Sequence, residues 1–217
     1  MCPRTATQYE AIRQEKRTLI MDTALELFAQ NGFHGTSISH ISKKAGISKG
    51  LVYNYFESKE EILKSIVQSG YDAAYNHLDL NKDGRLVKEE FVYFVRTTFR
   101  LVKENRNFWS LYSSLMFQPG ILDLVMPQFE GKVLEIQKLM TDFLKEMGST
   151  DPEGDLLSIS SLIKGATVIL LTAPEFFPMD KLEESVINSC FRLITTPEVT
   201  SRGKEYKKKD NLKTIQQ

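Results

Sequence analysis

The stretch DLNKDGRLVKEE, residues 79–90, spaces oxygen-bearing side chains as a hard cation requires. Asp79, Asn81 and Asp83 stand at positions 1, 3 and 5, and Gly84 at 6 gives a sharp bend. The carbonyl of Arg85 falls at 7, and Glu90 at 12 has two oxygens to offer. That is the ligand order of a helix–loop–helix calcium site. Val87 at position 9 has no side-chain oxygen to hold a bridging water, and no second loop of this kind exists in the chain. The same residues also make an Asn-Lys-Asp-Gly turn of the sort that ends a helix. Asp79, Asn81, Asp83, Arg85 and Glu90 are therefore candidate calcium ligands, and a calcium-responsive helical protein is one functional reading.

A second constellation, residues 36–59 (TSISHISKKAGISKGLVYNYFESK), has chemistry of another kind. Two short helices flank the turn AGIS, in which Gly46 permits a tight bend. Ile38, Ile41, Ala45, Ile47, Val52 and Phe56 form an apolar set that packs the pair against a preceding helix. That leaves Lys49, Gly50, Leu51, Tyr53, Asn54 and Tyr55 projecting from the second helix. Tyrosine hydroxyls and a lysine ammonium reach phosphates, and a leucine can touch a thymine methyl. This is the logic of a helix-turn-helix, whose second helix lies in the major groove. Tyrosines at this spacing also serve as ordinary half-buried core aromatics.

Charge separates the two ends of the problem. Lysines and arginines balance aspartates and glutamates overall, 28 against 28. Residues 1–56 nevertheless hold seven basic against four acidic side chains, and no acid lies between Gly32 and Phe56. Such a segment points towards a polyanion. Nucleophilic or metal-dependent catalysis finds no support. His34, His40 and His77 lack metal-ligand spacing, and neither Cys2 nor Cys190 has a base near it in sequence. No catalytic residue and no required cofactor are expected. The first 17 residues contain no apolar core of a secretion signal, and two distant cysteines suit a reducing cytoplasm. The longest apolar run, ATVILLTA at residues 166–173, is too short to span a bilayer, so no membrane partner is expected.

The elements that must position these groups all have helical period. Ile20, Ala24, Leu27 and Phe28 share one face, and Asn31-Gly32 ends their helix. Thr36 or Ser37 caps the next helix and Ser48 the one after, which runs through Tyr55. SKEE at residues 58–61 is a capping box opening a long helix. Further helices cover residues 91–103 and an aromatic stretch ending near Pro119-Gly120. Another carries Phe129 to Met147, and one is capped by Asp151 with Pro152 at its first position. The last runs from Asp180 to the break at Pro197. The fold class is all-α, with about nine helices.

Residues 24–63, ALELFAQNGFHGTSISHISKKAGISKGLVYNYFESKEEIL, resemble the N-terminal domain of the TetR family of transcriptional regulators. The A-x-x-L-F-x-x-x-G-F-x-x-T run, the I-x-x-x-A-G-I-S turn and the L-V-Y-N-Y-F-x-S-K-E-x-x-L close keep the family's spacing without insertion. The resemblance is detailed over about the first 65 residues. It implies a homodimer that binds a palindromic double-stranded DNA operator and a C-terminal domain that answers to a small apolar or amphipathic effector. It places phosphate and base contacts on Thr36, Ser37, Ser48, Lys49, Gly50, Leu51, Tyr53, Tyr55 and Lys59, with Asn54 as an added candidate. The expected division is a DNA-binding part at 1–56, a ligand-binding and dimerisation part at 57–198, and a basic, disordered tail at 199–217.

Within the second part, Trp109, Tyr112, Met116, Phe117, Phe129 and Met140 are candidate pocket residues, because aromatic and methionine side chains suit an adaptable apolar cavity. Each also sits at core spacing. Ser161 and Gly165 make a small-x-x-x-small pair beside Leu162, Val168, Ile169 and Leu171, so that helix is apolar on more than one face and suits a dimer contact.

Overall fold

The computed structural model describes residues 6–195, and within them every regular element is helical. Helix α1 spans Ala6–Asn31, α2 Ile38–Lys44, α3 Lys49–Tyr53 and α4 Lys59–Tyr75. Then come α5 at Lys88–Glu104, α6 at Arg106–Met116, α7 at Ile121–Glu146 and α8 at Pro152–Thr172. A 3-10 turn at Pro174–Phe176 leads to α9, Met179–Thr195. The expected tail, Cys2 and Pro197 lie outside the described residues.

Short polar side chains set four of the helix starts. Ser37, Ser48, Ser58 and Asp151 each accept a hydrogen bond from an amide in the first turn of α2, α3, α4 and α8. Glu61 returns from α4 to the amide of Glu57, one residue before the expected partner of a capping box. Helix α7 begins at Ile121 and passes straight through Pro127. Ile121, Val125 and Phe129 face inwards, so Pro127 and the Asp123 carbonyl it deprives of a partner both lie on the solvent side.

Two apolar cores result. One joins α1, α2 and α3 to α4, the end of α6 and the first turns of α7, through Phe28, Val52, Phe56, Ile62, Leu115 and Phe129. The other joins α5, the second half of α7, α8 and α9, through Phe91, Phe99, Phe143, Ile159 and Cys190. Packing therefore runs on past residue 56 into α4. Burial pushes the Cys190 thiol up to about 11, so little nucleophilic thiolate exists at neutral pH.

At 21 residues helix α8 is long and apolar enough to cross a bilayer by length and composition. Its exposed apolar side chains include Leu157, at 71%, and Val168.

The loop between α4 and α5 gives the calcium reading no support. Asp79 accepts from the Gly84 amide at 3.0 Å, Asn81 from the Asp83 amide at 3.0 Å, and Asp83 from the Arg85 amide at 2.9 Å. Glu90 is only 8% exposed, and its two oxygens accept from the amides of Leu80 and Val87, each at 3.2 Å. One oxygen of Asp79 is left without a partner. Arg85 turns its guanidinium to Glu146 on α7 at 3.0 Å. Among the described residues no three acidic, histidine or cysteine side chains gather to hold a metal ion. The oxygens of the pattern tie a turn, and Glu90 clamps both its ends. Glu90→Ala should therefore lower stability by about 1–3 kcal/mol by stripping the amides of Leu80 and Val87 of their acceptor. Glu90→Gln, which keeps one acceptor oxygen, should cost less, and urea unfolding midpoints compare the two.

Candidate nucleic-acid interface

The turn between α2 and α3 is tied by its own backbone. The Ala45 amide donates to Ile41 O at 2.9 Å and the Ile47 amide to Ser42 O at 3.0 Å, while Gly46 takes φ +67°. A left-handed residue there strains any side chain but costs glycine nothing. Ile41, Val52 and Phe56 are fully buried beneath the pair, which fixes the outward face of α3. On that face Lys49, Gly50 and Asn54 are exposed, Tyr53 is 48% exposed, and Leu51 is half-buried. Ser37 and Ser48 are exposed caps that accept from the amides of His40 and Leu51. The Lys49 ammonium lies 5.9 Å from the Tyr53 ring centre and makes no hydrogen bond or ion pair among the described residues.

Three of the expected contact residues are placed differently. Thr36 is 2% exposed, and its hydroxyl donates to Leu27 O and Gly32 O at 3.2 and 2.9 Å, so it closes the end of α1 from inside. Lys59 donates to Phe33 O at 2.7 Å and Thr36 O at 2.9 Å and stands 4.3 Å over the Phe33 ring. Its charge serves the loop before α2. Tyr55 is half-buried against the core, and its carbonyl accepts from Arg17 at 3.1 Å.

Sequence reading missed the residues that hold the head together. Arg17 also donates to Ser65 on α4 at 2.8 Å and lies 4.2 Å over Phe56. Lys44 pairs with Glu26 across α2 and α1 at 2.7 Å. Gln118, in the turn between α6 and α7, accepts from the Phe33 amide at 2.9 Å and donates to Phe28 O at 2.7 Å. These partners lie 85 and 90 positions away in the chain, and no local pattern announces them.

Behind the head, a cavity of about 300 Å³ opens between α4, α5, α7 and α8, with Tyr71, Tyr75, Phe94, Ile136, Met140 and Ile163 on its walls. Of the expected pocket residues only Met140 lines it. Phe117 is 80% exposed on the surface. Trp109, Tyr112 and Met116 are side chains of α6 half-buried against the two cores, and Phe129 is buried in the first core, its ring centre 5.2 Å from that of Tyr71. Tyr112 rests on Gly70, where a Cβ would clash with its ring. Burial raises the hydroxyls of Tyr71 and Tyr112 to about 12, and Tyr75, Glu135 and Asp72 add to this at Tyr71, so both stay protonated donors at neutral pH.

A short outward helix on a tied turn, seated on a continuous apolar base, defines a helix-turn-helix protein. Residues 20–66 match the family profile described as bacterial regulatory proteins, tetR family. Over those residues the chain is similar to the TetR family of transcriptional regulators. It is 35% identical over 99 residues to the uncharacterized HTH-type transcriptional regulator YuxN of Bacillus subtilis, covering 45% of this chain and 34% of that protein. To the fatty acid metabolism regulator protein of the same organism it is 30% identical over 96 residues, covering 44% of this chain and 50% of the relative. The matched segments thus span about a third to a half of these relatives' own lengths. In fold the chain is similar to the fatty acid degradation regulator FadR of Bacillus halodurans, with a TM-score of 0.61 and 18% identity over 81% of this chain and 94% of that one. It is also similar to NalD, the secondary repressor of the MexAB-OprM multidrug efflux pump in Pseudomonas aeruginosa, with a TM-score of 0.62 and 18% identity over 83% and 95%.

The position of Thr36 has a measurable consequence. Thr36→Val, which leaves two carbonyls without their donor, should cost about 1–2 kcal/mol of stability. Ser37→Ala removes an exposed cap and should cost about 1 kcal/mol. Thermal melts rank the two.

Proposed function

We propose that this chain is a ligand-responsive, DNA-binding transcriptional regulator of the repressor type that acts on a palindromic operator as a homodimer in the cytoplasm. The observation that carries the reading is a division of labour on the head. Arg17, Thr36, Lys44 and Lys59 are taken up by internal bonds, whereas Ser37, Ser48, Lys49, Gly50, Tyr53 and Asn54 face solvent around α3. A charged side chain left free beside hydroxyls on a rigid short helix suits base edges flanked by phosphates.

Placement supports a role for each. Lys49 reaches guanine O6 and N7; Ser37, Ser48, Tyr53 and the hydroxyl of Tyr55 take phosphate oxygens; Leu51 offers an apolar edge, and Asn54 a further polar contact. Lys59 and Thr36 act through the loop they hold. Gly50 needs no special backbone angle and has open space where a Cβ would stand. Nothing inside the protein requires a glycine there, so its bareness serves the close approach of a partner.

The remaining part, residues 57–198, provides the effector cavity and the dimer contact. Leu157 and Val168 on α8 and Leu193 on α9 are exposed, with Ser161 and Gly165 allowing close backbone approach. Isologous pairing of such a face buries it. The fatty acid regulators and the repressor among the relatives support an apolar effector and a repressing role.

Selection from genomic fragments with purified protein, followed by a salt titration, tests the reading. A palindrome should be enriched and its affinity should fall steeply as salt rises, because phosphate contacts release counterions; recovery of no common sequence would sink it. Lys49→Ala should lose about 1–3 kcal/mol of discrimination at one base pair per half-site, whereas Tyr53→Phe should weaken all operators alike. Gly50→Ala should raise thermal stability by up to about 1 kcal/mol and lower operator affinity, two changes of opposite sign in one variant.

A further inference from the structure

We infer that the cavity between α4, α5, α7 and α8 takes a free medium-chain carboxylate, its tail against Phe94, Met140 and Ile163 and its head on Lys164. The inference rests on the regulator reading for its biological meaning but not for its chemistry. Three observations carry it. The cavity walls are mainly aromatic and aliphatic, and none of the lining residues is acidic, which disfavours a cationic ligand. Its one charged lining residue is Lys164 on α8, exposed and without an ion pair or side-chain hydrogen bond among the described residues. Ser160, one turn earlier, and Gln137 on α7 line the same cavity.

An unpaired ammonium beside hydroxyl and amide groups suits a carboxylate, since charge-assisted hydrogen bonds are the strong ones. The buried hydroxyl of Tyr71, on the α4 wall, also lacks a partner and disfavours a plain hydrocarbon. Size narrows the class. A cavity of about 300 Å³ stands at the small end of ligand pockets, which suits a single chain of medium length. A ligand with several phosphates would need several cations, and the lining supplies one.

Calorimetry on the full chain decides it, with decanoate and decanol as probes below their aggregation concentrations. Decanoate should bind wild type at least about tenfold more tightly than decanol. Lys164→Met should lose that margin for decanoate and leave decanol unchanged, while Lys164→Arg should retain it. Ile163→Trp, checked for folding by its melt, should block both probes. Equal affinity of the two probes, no binding of either, or a Lys164→Met variant that binds decanoate as wild type does would each overturn the inference. Operator binding without ligand, followed by fluorescence anisotropy on the same preparations, reports separately on the regulator reading.

Discussion

The loop between α1 and α2 ties the helix-turn-helix head to α4 and to the turn before α7. Where α1 stops, its last carbonyls have no helical partner, and a buried helix end must find donors elsewhere. Thr36 and Gln118 supply them to α1, and Lys59 bonds the loop that follows. Between them they bond five carbonyls, those of Leu27, Phe28, Gly32, Phe33 and Thr36, and one amide, that of Phe33. One donor comes from the loop itself, one from the first turn of α4, and one from the turn before α7. The direction in which α3 faces is therefore set by groups spread over the first two-thirds of the fold. A shift of α4 or of the α6–α7 turn acts on the loop directly.

What could be read in the sequence was what is local. The helix-turn-helix was legible because Gly46, the buried set of Ile41, Val52 and Phe56, and the caps Ser37 and Ser48 all lie within a few residues of what they control. Tertiary partners were not legible. The resemblance implies phosphate contacts at Thr36 and Lys59, yet carbonyls at the end of α1 and in the loop after it take both. Gln118 had no signal at all, since a single amide side chain has meaning only against Phe28 and Phe33. Met140 was the one wall residue of the cavity foreseen, because aromatic content cannot distinguish a filled core around α6 from an open one between α4 and α8.

The calcium pattern shows the same limit from the other side. Its acidic residues, its Asn and its glycine recur because oxygen acceptors at those spacings meet the loop's own amides, with or without a cation. Lys82 and Gly84 both take positive φ, at 57° and 76°, so the bend is inherent in the backbone. Likewise α8 satisfies a membrane helix's length and apolarity while carrying Lys164, Glu153 and Asp155 and packing Ile159, Ile163, Ala166 and Leu170 inwards. Composition alone does not separate a helix that meets lipid from one that meets protein on two sides.

Gly70 and Tyr112 leave no room between α4 and α6, since a single added carbon would clash with the tyrosine ring. The two positions are thus bound in their history as well as in space. A lineage that enlarges residue 70 must shrink residue 112 in step, trading volume across the contact, or accept that the two helices part. Among descendants of this chain, the pair should drift together or not at all.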